Sequence, residues 1–172
     1  MKRPYFLLLL ILGGCLSPQY TSQVNPGANF SKYHTFYCSE CLESIDHLRP
    51  SYDNADNRRL IRDAIQKELE NRGYIFKEDQ PDLLIEFDLI IEEHIDTVVQ
   101  RTTNYRYWRG FDEDTYNYKV GTLIINMVDN EEGIVVWQGG AESFLDLDPK
   151  QFESKVKKVV KSIFKNYPYK RH

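Results

Sequence analysis

No stretch of this 172-residue chain is long and apolar enough to cross a membrane as a helix, which takes about 20 residues. The run that comes nearest, Tyr5 to Leu12, is far too short. A basic excess is missing as well: 22 Lys and Arg stand against 26 Asp and Glu, for a net charge of −4. That balance excludes the basic face a nucleic-acid backbone needs. It also argues against electrostatic attraction to anionic lipid. Cysteine is scarce, at three residues. A domain of this size buries enough surface to fold without a disulfide or metal. There is no P-loop, dinucleotide fingerprint or nucleophile elbow, and no internal repeat. The sequence thus points to a non-enzymatic protein with no cofactor, no metal and no nucleic-acid partner.

What is present begins at the N-terminus. Lys2 and Arg3 precede the apolar run, and Gly13-Gly14 precede Cys15. This is the basic start, apolar middle and small-residue cleavage site of a signal peptide. Leu12-Gly13-Gly14-Cys15 also resembles a bacterial lipobox. Small residues let a peptidase approach the backbone, and the thiol is the atom that accepts a diacylglyceryl group. The competing reading is an ordinary secretory signal with an incidental cysteine. On the lipobox reading, residues 1–14 are removed, and losing Lys2 and Arg3 takes the charge from −4 to −6. Cys15 is then lipidated and holds the protein on a membrane, because stable anchoring takes more than one acyl chain. Leu16 rather than Asp after the cysteine favours the outer over the inner membrane of the bacterial envelope.

Residues 15–28 read as this cysteine and a flexible tether, being polar, rich in Pro and Gly, and without periodicity. Residues 29–172 read as one domain. Tyr33 to Tyr37 suggests a first strand. Asn54 to Arg72 is predicted helical, with Leu60, Ile61, Ala64, Ile65 and Leu69 forming one stripe, Asn54 as N-cap and Gly73 just past the end. Tyr74 to Phe76 is a short extension. Leu83 to Glu93 alternates as a half-buried strand whose polar tail reaches about Gln100. Residues 101–117 read as an aromatic, charged loop. Residues 118–142 read as a hairpin turning at Gly133. Asp148-Pro149 opens a second helix, with Phe152, Val156, Val159, Val160, Ile163 and Phe164 on its apolar face. The order β-α-β-β-β-α predicts an α+β two-layer sandwich, an antiparallel-rich sheet with two helices on one face.

Three stretches together resemble a bacterial lipoprotein family known as domain of unknown function number 4136. They are Asn29-Phe30-Ser31-Lys32-Tyr33-His34-Thr35-Phe36; the helix ending at Gly73-Tyr74 with Pro81-Asp82-Leu83-Leu84-Ile85 after it; and Gly121 to Asp129 followed by Val136-Trp137-Gln138-Gly139. In the last, an Asp ends one strand and Trp-x-Gly ends the next. The likeness covers about residues 29–166. It implies an envelope lipoprotein and transfers no catalytic residue. Cys38 and Cys41 depart from the family pattern.

Cys38-Ser39-Glu40-Cys41 has four readings: a structural disulfide, which suits an oxidising compartment; a redox pair, although no helix starts beside it; a zinc site with His34 and His47, at an unfamiliar spacing; or free thiols. Glu86, Asp88, Glu92, Glu93 and Asp96 suggest paired carboxylates, but the period of two that puts Glu86, Asp88 and Glu92 on one face reads better as a solvated sheet face. Asp112-Glu113-Asp114 lacks the spacing and the Gly of a calcium loop. Tyr105, Tyr107, Trp108, Phe111, Tyr116 and Tyr118 interleave with Arg106 and Arg109. Tyr, Trp and Arg dominate binding hot spots. Tyr105, Tyr107, Trp108, Arg109 and Phe111 are therefore the candidate partner-binding residues, for an envelope protein or a glycan. The alternative is that these aromatics pack back onto the sheet. A glycan or small-molecule module, or an envelope hydrolase, are the rival functions.

Overall fold

The structure, a computed structural model, describes residues 19–38, 53–102, 110–145 and 149–169. Its strands are β1 (Gln19–Val24), β2 (Thr35–Cys38), β3 (Ile75–Phe76), β4 (Leu83–Thr102), β5 (Gly110–Asp129) and β6 (Val135–Leu145), and its helices α1 (Ala55–Glu70) and α2 (Pro149–Ile163). The six strands form one open sheet in the order β1-β6-β5-β4-β2-β3. β1, β6, β5 and β4 pair antiparallel, whereas β2 runs parallel to both β4 and β3. The expected α+β, antiparallel-rich arrangement is what the chain adopts.

The alternation in β4 and β5 decides which face is covered. Leu83, Ile85 and Phe87 share the buried face with Leu123, Ile125 and Met127. Against it pack Ile61, Ala64, Ile65 and Leu69 of α1 and Phe152, Val156, Val160 and Ile163 of α2, in one core. The stripe residue Leu60 is only partly buried. Asn54 caps α1, its side chain accepting from the Asn57 amide at 2.9 Å. Gly73 ends the helix with φ of 88°, where a side chain is strained. Among the described residues no helix is long and apolar enough to cross a membrane.

Two expectations are corrected. The stretch read as a tether contains β1, so the order is β-β-α-β-β-β-β-α. β1 escapes pattern reading because five of its six residues are exposed and only Tyr20 is half-buried. Its stability comes from a backbone ladder to β6, from Gln19 opposite Glu142 to Val24 opposite Trp137. The loop read at 101–117 is also mostly strand. β4 continues to Thr102 and β5 begins at Gly110, so only 103–109 connects them. The first expected strand lies slightly later than Tyr33 to Tyr37, because Phe30–Lys32 forms a 3-10 turn capped by Asn29.

Candidate functional site

Among the described residues, a dense polar cluster lies at the end of the sheet where the β5–β6 turn closes. Asp129, the last residue of β5, is 2% exposed. Its Oδ1 accepts from the amides of Glu131 and Glu132, both at 2.9 Å, and shapes the turn. Its Oδ2 accepts from the Tyr33 hydroxyl at 2.8 Å and faces Lys32 Nζ at 2.8 Å. Lys32 also reaches Glu132 at 2.9 Å. Burial pushes the Asp129 carboxyl upward, but the bonds from Lys32, the turn amides and Tyr33 outweigh it and hold the group at about 2. The same bonds to Asp129 and Glu132 raise Lys32 above the ordinary lysine range. Burial, then the bond to Asp129, pushes Tyr33 up to about 12.

A second carboxylate stands beside the first. Asp82 Oδ2 accepts from the amides of His34 at 2.6 Å and Thr35 at 2.8 Å, while the Asp82 amide donates to Thr35 Oγ1 at 2.9 Å. Burial opposes its ionisation, yet these bonds leave Asp82 below the usual carboxylate value. Asn130 ties the two halves together: its amide donates to the Asp82 carbonyl at 3.0 Å and its Nδ2 to that of Pro81 at 2.9 Å. Both oxygens of Asp129 and Oδ2 of Asp82 are held by backbone amides and neighbouring side chains. Their chemistry is to pin the starts of β2 and β4 to the β5–β6 turn. A general base needs a lone pair aimed at a substrate, and Asp129 spends both oxygens on the fold. Reading the sequence marked Asp82 and Asp129 only as pattern positions; nothing local signalled the contact with Tyr33.

The candidate residues distribute as follows. Cys15 lies outside the described residues. Cys38 is buried at the end of β2, and Cys41 lies outside the described residues. His34 places Nδ1 2.8 Å from the Lys32 carbonyl, and His47 lies outside the described residues. Tyr105, Tyr107, Trp108 and Arg109 also lie outside them. Phe111 is placed in β5 opposite Arg101 of β4. Glu86, Asp88 and Glu92 stand on the sheet face away from the helices, opposite Asn126, Ile124 and Val120. Glu92 meets His94 Nε2 at 3.3 Å. Among the described residues no group of His, Cys, Asp and Glu has the geometry of a metal site.

One apolar cleft opens between α2 and the sheet, lined by Ile61, Leu89, Leu123, Phe152, Val156 and Val159, with a volume of about 50 Å³. Ordinary ligand sites measure roughly 300–1,000 Å³. At the opposite side of the core, Gly139 lies against the Trp137 ring. A Cβ there would collide with that ring and with Ile163. The Trp-x-Gly pattern is therefore a packing requirement.

The family model described as Domain of unknown function (DUF4136) matches residues 20–169. It begins inside β1, in agreement with the strand's place in the fold. No curated protein matches the chain significantly. Among solved structures, a PDZ domain protein from Parabacteroides distasonis is similar at a TM-score of 0.56 and 18% identity, over 89% of this chain and 36% of that one. This chain thus spans little more than a third of that protein. PelC from Paraburkholderia phytofirmans, solved as a dodecamer, is similar at a TM-score of 0.52 and 10% identity, over 90% of this chain and 100% of that one. At these identities the likeness is one of fold.

Proposed function

This chain belongs to the DUF4136 family, and from that premise we propose that it is a lipid-anchored bacterial envelope protein whose domain is a non-catalytic binding or structural module. The observation that carries this reading is Leu12-Gly13-Gly14-Cys15, placed directly after a short apolar run with a basic start. Strand β1 starts only a few residues later, at Gln19, so an acyl group on Cys15 would hold the domain close to the membrane. Leu16 after the cysteine favours the outer membrane. The use of both Asp129 oxygens in bonds to Tyr33 and the turn amides supports a structural role for this polar cluster. Partner recognition is assigned to Tyr105, Tyr107, Trp108 and Arg109, which join β4 to β5, together with Phe111; the partner is an envelope protein, with a glycan as the alternative.

The test is metabolic labelling with a clickable fatty acid in cells expressing the chain with its own N-terminus. Label on the wild type that disappears in Cys15→Ala establishes the anchor. A processed, unlabelled and soluble wild type refutes it.

A further inference from the structure

The open sheet ends in edges of unequal character. β3 is an edge of two residues. β4 meets β2 only from Leu83 to Ile85, and past that point it carries Glu86, Asp88 and Glu92. A short edge and a charged edge both discourage a further strand from adding on. β1 has neither protection. It runs for six residues, Gln-Tyr-Thr-Ser-Gln-Val, without a charge or a proline. Its register with β6 is continuous, without a bulge. Five of the six residues are exposed, and Val24 keeps 42% of its surface in water. Among the described residues no strand lies outside β1.

The pairing with β6 fixes which backbone groups of β1 are left over. The Asn25 amide donates to the Val136 carbonyl at 3.0 Å. Inward bonds therefore fall on alternate residues counted back from Asn25: Gln23 opposite Gln138, Thr21 opposite Gly140 and Gln19 opposite Glu142. The amides and carbonyls of Tyr20, Ser22 and Val24 point out of the sheet edge. That set is self-complementary about Ser22. A second β1 laid antiparallel, with Ser22 opposite Ser22, puts Tyr20 opposite Val24 and Val24 opposite Tyr20. Each of these pairs can exchange both of its backbone bonds. The faces agree as well, because all three residues share the side of Ala141, Gly139 and Trp137. Tyr20 of one copy then covers Val24 of the other, an aromatic and β-branched pair of the kind that stabilises neighbouring strands. On the other face Thr21 meets Gln23, and no like charges are opposed. Ser22 Oγ keeps its bonds to Trp137 and Asn166, since only the Ser22 backbone is used.

We propose that β1 is a dimerisation edge, at which two copies of this chain join β1 to β1, antiparallel about a two-fold axis at Ser22, into one continuous sheet. The contact uses the same strand on both sides and so closes at two copies. An edge of six residues buries well under the roughly 1,200 Å² at the low end of stable interfaces. The pairing is accordingly weak and reversible, and a covalent trap suits it.

The experiment is disulfide trapping in cells expressing the full chain with its own N-terminus. Thr21→Cys and Gln23→Cys are carried on two copies of different size. Position 21 of one copy stands opposite position 23 of the other, at about 4.5 Å between Cα atoms and within disulfide reach. Like positions, 21 to 21 or 23 to 23, are roughly 8 Å apart and out of reach. Co-expression should give the mixed dimer at least about tenfold above either variant alone and above wild type, which carries the native cysteines. A second set of variants needs no added cysteine and is read by complementation of two luciferase fragments on the C-termini. Thr21→Lys with Gln23→Lys opposes like charges across the axis, as does Thr21→Glu with Gln23→Glu, and each alone should lose signal about fivefold. The lysine and glutamate chains expressed together should regain it. All of these positions are exposed in β1. A mixed disulfide no stronger than the single variants' overturns the proposal. So does complementation that the charges leave unchanged, or a trapped product with the mass of a different protein.

Discussion

The Tyr33 hydroxyl donates to Oδ2 of Asp129 at 2.8 Å across a separation of 96 residues, inside the protein. This bond joins the segment leading into β2 to the last residue of β5, and Lys32 reaches the same oxygen from the surface. Replacing Asp129 by Ala leaves the Tyr33 hydroxyl and two turn amides without their acceptor. The expected loss is about 3 kcal/mol of unfolding free energy, read as a lower urea midpoint at unchanged slope. Tyr33→Phe removes one donor from an acceptor that keeps three others, and should cost nearer 1 kcal/mol.

Acid should act through the same carboxylate. Asp129 sits at about 2 in the folded protein, below its unfolded value of about 3.9. A depressed carboxyl stabilises the fold above the unfolded value, and that contribution is lost as pH falls toward the folded one. Asp82 shifts in the same direction. Stability should therefore be flat above about pH 5 and drop between about pH 4 and pH 2, by ~2 kcal/mol for Asp129. Urea titrations of wild type and Asp129→Asn at pH 6 and pH 3 check this. An equal drop in both proteins would show that another group is responsible.

Gly139 should be intolerant of any side chain. An added Cβ meets the Trp137 ring and Ile163 in the packed core. Gly139→Ala is expected to cost about 2–3 kcal/mol, measured as a lower Tm. Gly133 has open space around it but a φ of +67°. Gly133→Ala should cost only about 1 kcal/mol, from the backbone alone. The order of the two variants is the prediction.

The edge strand is hydrogen-bonded to the core through the side chain of Ser22. Trp137 Nε1 donates to Ser22 Oγ at 3.0 Å, and that hydroxyl donates to the Asn166 carbonyl at 3.1 Å. Ser22→Ala leaves the indole N–H of a buried tryptophan unpartnered, for about 1–2 kcal/mol. Amide exchange should quicken in β1 and stay unchanged in the β4–β5 core. Uniform quickening would mean that β1 unfolds only with the whole domain.

What the sequence determined by itself is whatever has a short period or a local stereochemical signature. The stripes of α1 and α2 follow from spacings of three and four, and the buried faces of β4 and β5 from a period of two. Asn54, Gly73 and Gly133 mark ends and turns because each solves a backbone problem within its own few residues. The resemblance of Leu12-Gly13-Gly14-Cys15 to a lipobox is equally local. Tertiary structure alone decided the rest. β1 carries almost no buried side chain, so its place is set by hydrogen bonds to a strand more than a hundred residues away. Residues 110–117 read as loop because their sequence does not separate apolar from polar positions, yet backbone pairing that begins at Gly110 opposite Thr102 makes them strand. Asp129 and Tyr33 are each unremarkable in sequence. Only folding brings the carboxylate to the hydroxyl, and burial then makes their bond strong by removing the water that would compete for it.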